Sequence, residues 1–152
     1  MAKVLRRSGT KVSLEVAVDL KGSLLEMEGA IQEASNAMGR CATGESLTRF
    51  DTDGSPIRVG AMKRTVRGRD PKDYQSPYGV VRVERYVYQS ARGWRIYCPL
   101  EHQGRIIRGA TPRFARQLSH KHAQLNVRAV QNDLEENHGR QVATSYIQNV
   151  AE

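Results

Sequence analysis

The chain has 152 residues, 39% of them hydrophobic and 26% charged, with a formal net charge of +8; this is enough for one domain with a real core and short for two. No apolar run approaches the roughly 20 residues that span a bilayer, and the basic N-terminus leads into no apolar segment, so a cytoplasmic protein without a membrane segment is expected. Only Cys41 and Cys98 are present, which argues against a disulfide scaffold.

The surplus charge is local. Residues 51–125 hold 15 Lys and Arg against 6 Asp and Glu, whereas residues 1–50 hold 7 against 6 and residues 126–152 hold 2 against 4. An arginine-rich middle favours a polyanion, because the planar guanidinium suits phosphate and stacks on bases. The other reading is a solvated basic surface kept for solubility.

In chain order, residues 1–9 read as a basic flexible tail. Residues 10–20 then alternate, with Val12, Leu14, Val16, Val18 and Leu20 on one face, which predicts a half-buried strand. Gly22 ends it. Ser23 and Glu26 form a capping-box pattern for a helix whose Leu24, Met27, Ile31, Ala34 and Met38 fall on one stripe, with Gly39 as its stop. Residues 43–50 give a shorter helical piece that either continues this helix or packs beside it. Asp51-Thr52-Asp53-Gly54-Ser55-Pro56 lacks the remaining ligands of a calcium loop and reads as a turn, with a hydrolytic carboxylate pair as the alternative. Residues 57–67 make a ragged strand, and Gly68-Arg69-Asp70-Pro71 turns the chain.

Residues 74–100 carry the densest strand signal. A four-residue loop at 90–93 sets Gln89 opposite Trp94 and Val87 opposite Ile96. One face then bears Val81, Val83, Val87, Trp94, Ile96 and Cys98. The other bears Arg82, Glu84, Tyr86, Tyr88, Arg95 and Tyr97, aromatic rings interleaved with arginines that suit nucleic acid. Arg85 falls on the apolar side, which places it near an edge or puts the register off by one. The result is a small antiparallel meander.

Beyond Leu100 the period changes. Residues 102–109 are a basic connector, and Thr111-Pro112 supplies a capping hydroxyl and a first-turn proline. The helix to about Leu125 buries Phe114 or Ala115, Leu118, His122 and Leu125, and exposes Arg113, Arg116 and Lys121. Asn126 caps a second helix, with Val127, Val130 and Leu134 inward, which ends at Asn137-His138-Gly139. A last helix over 140–152 turns Ala143, Ile147 and Val150 one way and Gln141, Ser145 and Gln148 the other. Two short helices around a glycine turn resemble a helix-turn-helix whose outer amides and hydroxyls read base edges. The same pattern suits a helical dimerisation or core element.

The fold class expected is α+β: an N-terminal strand and helix, a central antiparallel meander and a C-terminal helical bundle, divided as 1–9, 10–110 and 111–152. Cys98 and His102 stand four apart, and His120 and His122 two apart, but no second cysteine pair completes a zinc site. There is no Walker-type loop and no recognised nucleophile setting, so no self-contained active site is expected.

Several segments together resemble one family. Phe50-Asp51-Thr52-Asp53-Gly54-Ser55-Pro56-Ile57, and Tyr74-Gln75-Ser76-Pro77-Tyr78-Gly79 leading to Val83-Glu84-Arg85-Tyr86-Val87-Tyr88-Gln89, are similar to the region ahead of the catalytic domain in bacterial insertion-sequence transposases of the ISKra type. Tyr97-Cys98-Pro99-Leu100-Glu101, Ala110-Thr111-Pro112-Arg113-Phe114-Ala115, Leu118-Ser119-His120-Lys121, Glu136-Asn137-His138-Gly139-Arg140 and Ser145-Tyr146-Ile147-Gln148 extend the likeness from about residue 12 onward. In that family the transfer chemistry belongs to an RNase H-like domain whose Asp, Asp and Glu hold two divalent metals. The resemblance places that domain beyond Glu152, so the chain is expected to be a truncated pre-catalytic region, not itself an enzyme, with no cofactor and no catalytic residue carried over.

The resemblance implies a DNA-binding and assembly role at the ends of the element, in the cytoplasm and associated with the nucleoid. The expected partners are double-stranded DNA and either a second copy or the full-length transposase. Arg58, Arg64, Arg67, Arg69, Arg82, Arg95, Arg105, Arg108, Arg113 and Arg116 are the expected phosphate contacts, and Gln141, Ser145 and Gln148 the expected base readers. The alternative is a dimerisation module that modulates full-length transposase without binding DNA specifically.

Overall fold

The computed structural model describes residues 1–90 and 96–152, and its fold is α+β. The first surprise is at the start. Ala2–Ser8 forms a strand, β1, paired antiparallel with β2, Lys11–Val16, so the expected flexible tail is half of a hairpin. Val4 sits opposite Leu14 and Ala2 opposite Val16, and Gly9 takes φ 59° in the two-residue turn between them. These cross-strand apolar pairs supply what the basic composition hid. β2 stops at Val16, leaving Val18 and Leu20 exposed, because the alternation continues beyond the reach of its partner strand.

Helix α1, Leu24–Thr48, opens as expected: Glu26 N donates to Ser23 Oγ at 3.2 Å, and Ser23 N donates to the Glu26 carboxylate at 2.7 Å. It does not stop at Gly39. A Cβ at that glycine would lie 2.1–2.6 Å from Cγ and both Cδ atoms of Tyr78, so the missing side chain is what lets the ring seat against the helix. Packing of this kind outweighs the helix cost of a glycine, about 1 kcal/mol. The buried residues of α1 are Ala34, Asn36, Ala37 and Leu47, whereas Leu24, Ile31 and Met38 of the expected stripe are exposed. Of the stripe Ala34 is buried and Met27 half-buried, and the rest has no cover among the described residues.

Strands β3, Ile57–Val59, β4, Met62–Ser76, and β5, Gly79–Ser90, form one antiparallel sheet in that order. β4 runs straight through residues 68–71, where a turn was expected. Asp70 faces Arg85 and Pro71 faces Glu84, with a bulge between Val66 and Gly68. β3 covers β4 only over residues 62–64, so Pro71 lies at a sheet edge, where its missing N–H costs no ladder bond. The long hairpin therefore turns at Pro77-Tyr78, one strand earlier than expected.

Among the described residues the expected second hairpin shows one bridge. Tyr88 pairs with Tyr97, two positions out of the expected register, through two backbone hydrogen bonds of 2.8 Å. Trp94, Arg95 and residues 91–93 of the expected loop lie outside the described residues. Val81, Val83, Val87 and Cys98 are buried as expected, but Ile96 is exposed and Tyr88 is fully buried. Tyr88 is covered by the loop at 51–56: its hydroxyl donates to Ser55 O at 2.9 Å and lies 2.5 Å from Thr52 Oγ1. Asp51 accepts from the backbone N–H groups of Thr52 and Tyr86, and Asp53 from Ser55, so the two aspartates close a turn as expected.

Arg85, on the apolar face as expected, is buried and not at a loose edge. Its guanidinium reaches Glu101 at 2.8 Å and Asp70 at 3.2 Å, and Glu101 also accepts from Lys72 Nζ and Tyr74 OH, both at 2.8 Å. Glu101 is carried by α2, Pro99–Gln103, a short helix where the end of the strand stretch and the start of the basic connector were expected.

Helices α3, Pro112–His122, α4, Val127–His138, and α5, Thr144–Ala151, complete the chain. Asn126 caps α4 through Ala129 N at 2.8 Å, and Gly139 ends it with φ 62°. The Thr111 hydroxyl makes no capping bond and is buried without a partner among the described residues; Pro112 starts α3. Leu125 lies past the end of α3 and is exposed. The last helix begins at Thr144, because Arg140 and Val142 are drawn inward on an extended lead-in.

Two apolar clusters result among the described residues. One gathers Leu47, Tyr74, Val81, Val83, Val87, Cys98 and Leu100; the other gathers Ala110, Phe114, Ala115, Leu118, Val130, Leu134, Val142, Ile147 and Val150. Buried Arg140 joins them, donating to Ser76 O at 3.1 Å and to Gln75 Oε1 at 2.6 Å, with its guanidinium 5.1 Å from the Phe114 ring centre.

Candidate nucleic-acid interface

The arginines expected to contact phosphate fall into two groups. On the sheet, Arg82 Nη1 lies 3.1 Å from Asp73, its partner across the β4–β5 ladder, and Arg69 lies 3.5 Å from Glu84 and 5.1 Å from the centre of the Tyr86 ring. Arg64 is half-buried and stands 5.6 Å from the centre of the Tyr97 ring. The rings expected to interleave with arginines as a stacking surface are thus already in use: Tyr86 and Tyr97 by arginines of β4, and Tyr88 by the core. Arg67 is exposed beside the bulge. Arg58 is exposed directly opposite Lys63, like charges whose mutual repulsion a polyanion would relieve.

The second group lies at the helical end. Arg105, Arg108, Arg113 and Arg116 are all exposed and have no acidic side chain within ion-pair distance among the described residues. Arg113 and Arg116 stand with Gln117, His120, Lys121 and His138 around a cleft of about 300 Å³. The i, i+3 and i+7 spacing of Arg113, Arg116 and His120 puts them on one face of α3; sequence reasoning had the arginines exposed but did not join them to His138 of α4. Lys121 is tied to Asp133, whose carboxyl is held below its ordinary range by hydrogen bonds from Lys121 and then Asn137.

Arg105 and Arg108 carry a feature that composition did not foretell. Both take left-handed backbone angles, φ 55° and 50°, which non-glycine residues adopt at a cost. Residues 107–110 form a tight turn in which Ile107 N donates to Ala110 O at 3.0 Å and Ala110 N donates back at 2.8 Å. With φ positive at both Arg108 and Gly109, this is the two-residue turn type that matches strand twist.

The α5 residues divide. Ser145 and Gln148 are exposed on the helix, while Gln141 is exposed on the extended lead-in and so does not share their helical face. Asn149 accepts from Arg108, and Tyr146 OH donates to Arg108 O at 3.1 Å. α5 is therefore locked to the turn at 107–110. It follows α4 after residues 139–143, a longer link than a compact helix-turn-helix uses, and its eight residues give about two turns.

Among the described residues no three His, Cys, Asp or Glu side chains gather as a metal site, and no helix there is long and apolar enough to cross a membrane. Comparisons with protein-family models, with curated proteins and with solved structures find no match to this chain.

Proposed function

We propose that this chain is a DNA-binding and assembly portion of an insertion-sequence transposase of the ISKra type, acting on double-stranded DNA at the element's ends in the nucleoid. In this reading strand transfer is left to an RNase H-like domain with its own divalent metals, and no residue described here is assigned a catalytic role. The observation that supports it is a group of exposed arginines with no acidic partner among the described residues, Arg105, Arg108, Arg113 and Arg116, beside the exposed Ser145 and Gln148 of α5. Guanidinium groups outside an ion pair bind phosphate without first leaving a carboxylate, and Arg108 would give up a neutral amide partner, Asn149, so this end ranks above the sheet face, where Arg69 and Arg82 are engaged by acids.

The test is a salt titration of binding to a terminal-repeat duplex. Log affinity should fall steeply with log salt, and Arg113→Ala with Arg116→Ala should lower the slope by about 2. Arg69→Ala with Arg82→Ala should change it less. Duplex binding that is absent, or insensitive to salt, overturns the proposal.

A second reading is favoured by α1, where Leu24, Leu25 and Ile31 are exposed on the first half of the helix and Met38 just past its midpoint. Such a face suits a second copy of the chain, in line with a dimerisation role. Sedimentation showing concentration-dependent dimers with no DNA retention would put this reading first.

A further inference from the structure

Ile106 and Ile107 are consecutive and have opposite fates. Ile106 is partly buried and packs on the sheet-side core, whereas Ile107 is 47% exposed between Arg105 and Arg108. The segment is not loose. Beyond the reciprocal bonds between Ile107 and Ala110, Gln75 N donates to Gly109 O at 2.8 Å, Thr111 N donates to Gln75 O at 2.9 Å, and Tyr146 OH holds Arg108 O. One anchor comes from β4 and another from α5. A β-branched aliphatic side chain, stiff at its first torsion, therefore stands on a turn whose shape is set before any partner arrives.

The two flanking arginines sit where glycine would be at ease. Residues held in sparsely populated backbone regions cluster at ligand clamps, where the side chain serves a purpose the backbone alone does not. Here the side chains retained are two guanidinium groups, with an exposed apolar tip between them.

Resting on the DNA-binding reading above, we propose that residues 105–108 form a wedge. Ile107 enters between two base pairs of duplex DNA and unstacks them, Arg105 and Arg108 hold the phosphates on either side, and the duplex kinks away. Apolar side chains flanked by basic ones act this way in proteins that bend DNA, with kinks of roughly 20–90°. A pre-set turn suits the task because little conformational freedom is left to lose when it binds.

The experiment uses a mixed-sequence duplex carrying 2-aminopurine at its flexible pyrimidine–purine steps, and the same duplex with a donor and an acceptor dye at its ends. The full chain should raise 2-aminopurine fluorescence and bring the dyes closer. Ile107→Ala should lose both signals while leaving the salt slope of binding unchanged, and Ile107→Met should keep them, since methionine also serves as a wedge. Arg105→Gly with Arg108→Gly should lower the slope by about 2, while the urea midpoint moves little, since relief of two left-handed backbones offsets the lost Arg108–Asn149 bond; this separates lost contact from lost fold. If the wild type binds but leaves the duplex straight and stacked, or if Ile107→Ala still bends it, the wedge is wrong and the DNA reading stands. If the wild type does not retain duplex at all, the DNA reading itself fails and takes the wedge with it.

Discussion

Glu101 gathers Lys72, Tyr74 and Arg85 on one carboxylate oxygen, each at 2.8 Å. Burial by itself would raise the Glu101 carboxyl, but the hydrogen bonds from Lys72 and Tyr74 and the charges of Lys72 and Arg85 hold it below its ordinary value. An acid whose folded value is depressed contributes stability above its unfolded value, and that contribution is lost as pH falls through the folded one. Glu101→Gln should therefore cost about 2 kcal/mol at neutral pH, and the variant should lose less stability than the wild type on acidification; urea midpoints at a series of pH values check both. Burial, and then the same carboxylate, push the Tyr74 hydroxyl upward. None of this was legible in sequence beyond the anomaly of Arg85 on an apolar face, because its partner lies 16 residues away on a helix too short to announce itself.

At the scale of elements, signals confined to a few neighbouring residues were legible and those needing a distant partner were not. Ser23 with Glu26, Asn126 and Gly139 mark helix ends through bonds within a few residues. The turn residues at 68–71 and Gly39 were misread because tertiary pairing overrode local preference: β5 carries β4 through the first, and the Tyr78 ring fills the space left by the second. Two glycines of α1 test this account. Gly29 has nothing within 4 Å of an added Cβ, so Gly29→Ala should stabilise by roughly 0.5–1 kcal/mol. Gly39→Ala should instead destabilise by about 1–3 kcal/mol, because a methyl group would displace a packed ring. Thermal or urea unfolding of the pair reads the difference in sign.

For the molecule as a whole, the two cores depend on a small number of ties. Arg140 binds Ser76 and Gln75, Asn36 Nδ2 donates to His138 O at 3.0 Å, and the backbone of Gln75 pairs with Gly109 and Thr111. Burial lowers the affinity of Arg140 for its proton, and its charge is balanced by carbonyl oxygens in place of an acid. Arg140→Ala should cost about 2–3 kcal/mol, the range of hydrogen bonds made by a charged group plus its contact with an aromatic face. Hydrogen exchange should rise across α3 to α5 before it rises in β4 and β5. The sequence reading placed Arg140 at the start of a helix and gave it no role, since the acceptors lie 64 and 65 residues away. Of the candidate site, the exposure of Arg113 and Arg116 was legible from helical spacing. The internal pairing of Arg69 and Arg82 was not, because it depends on which residues the strand register sets opposite them.

The close fit of Gly39 against Tyr78 has a spectroscopic consequence. A Cβ built there falls nearly equidistant from three ring carbons, so the hydrogen that glycine carries in its place points at the face of the ring, inside its shielding cone. In a proton spectrum that resonance should move far upfield of an ordinary glycine and return as α1 lifts away from the hairpin. A single line would then report the docking of helix on sheet, separately from the melting of either.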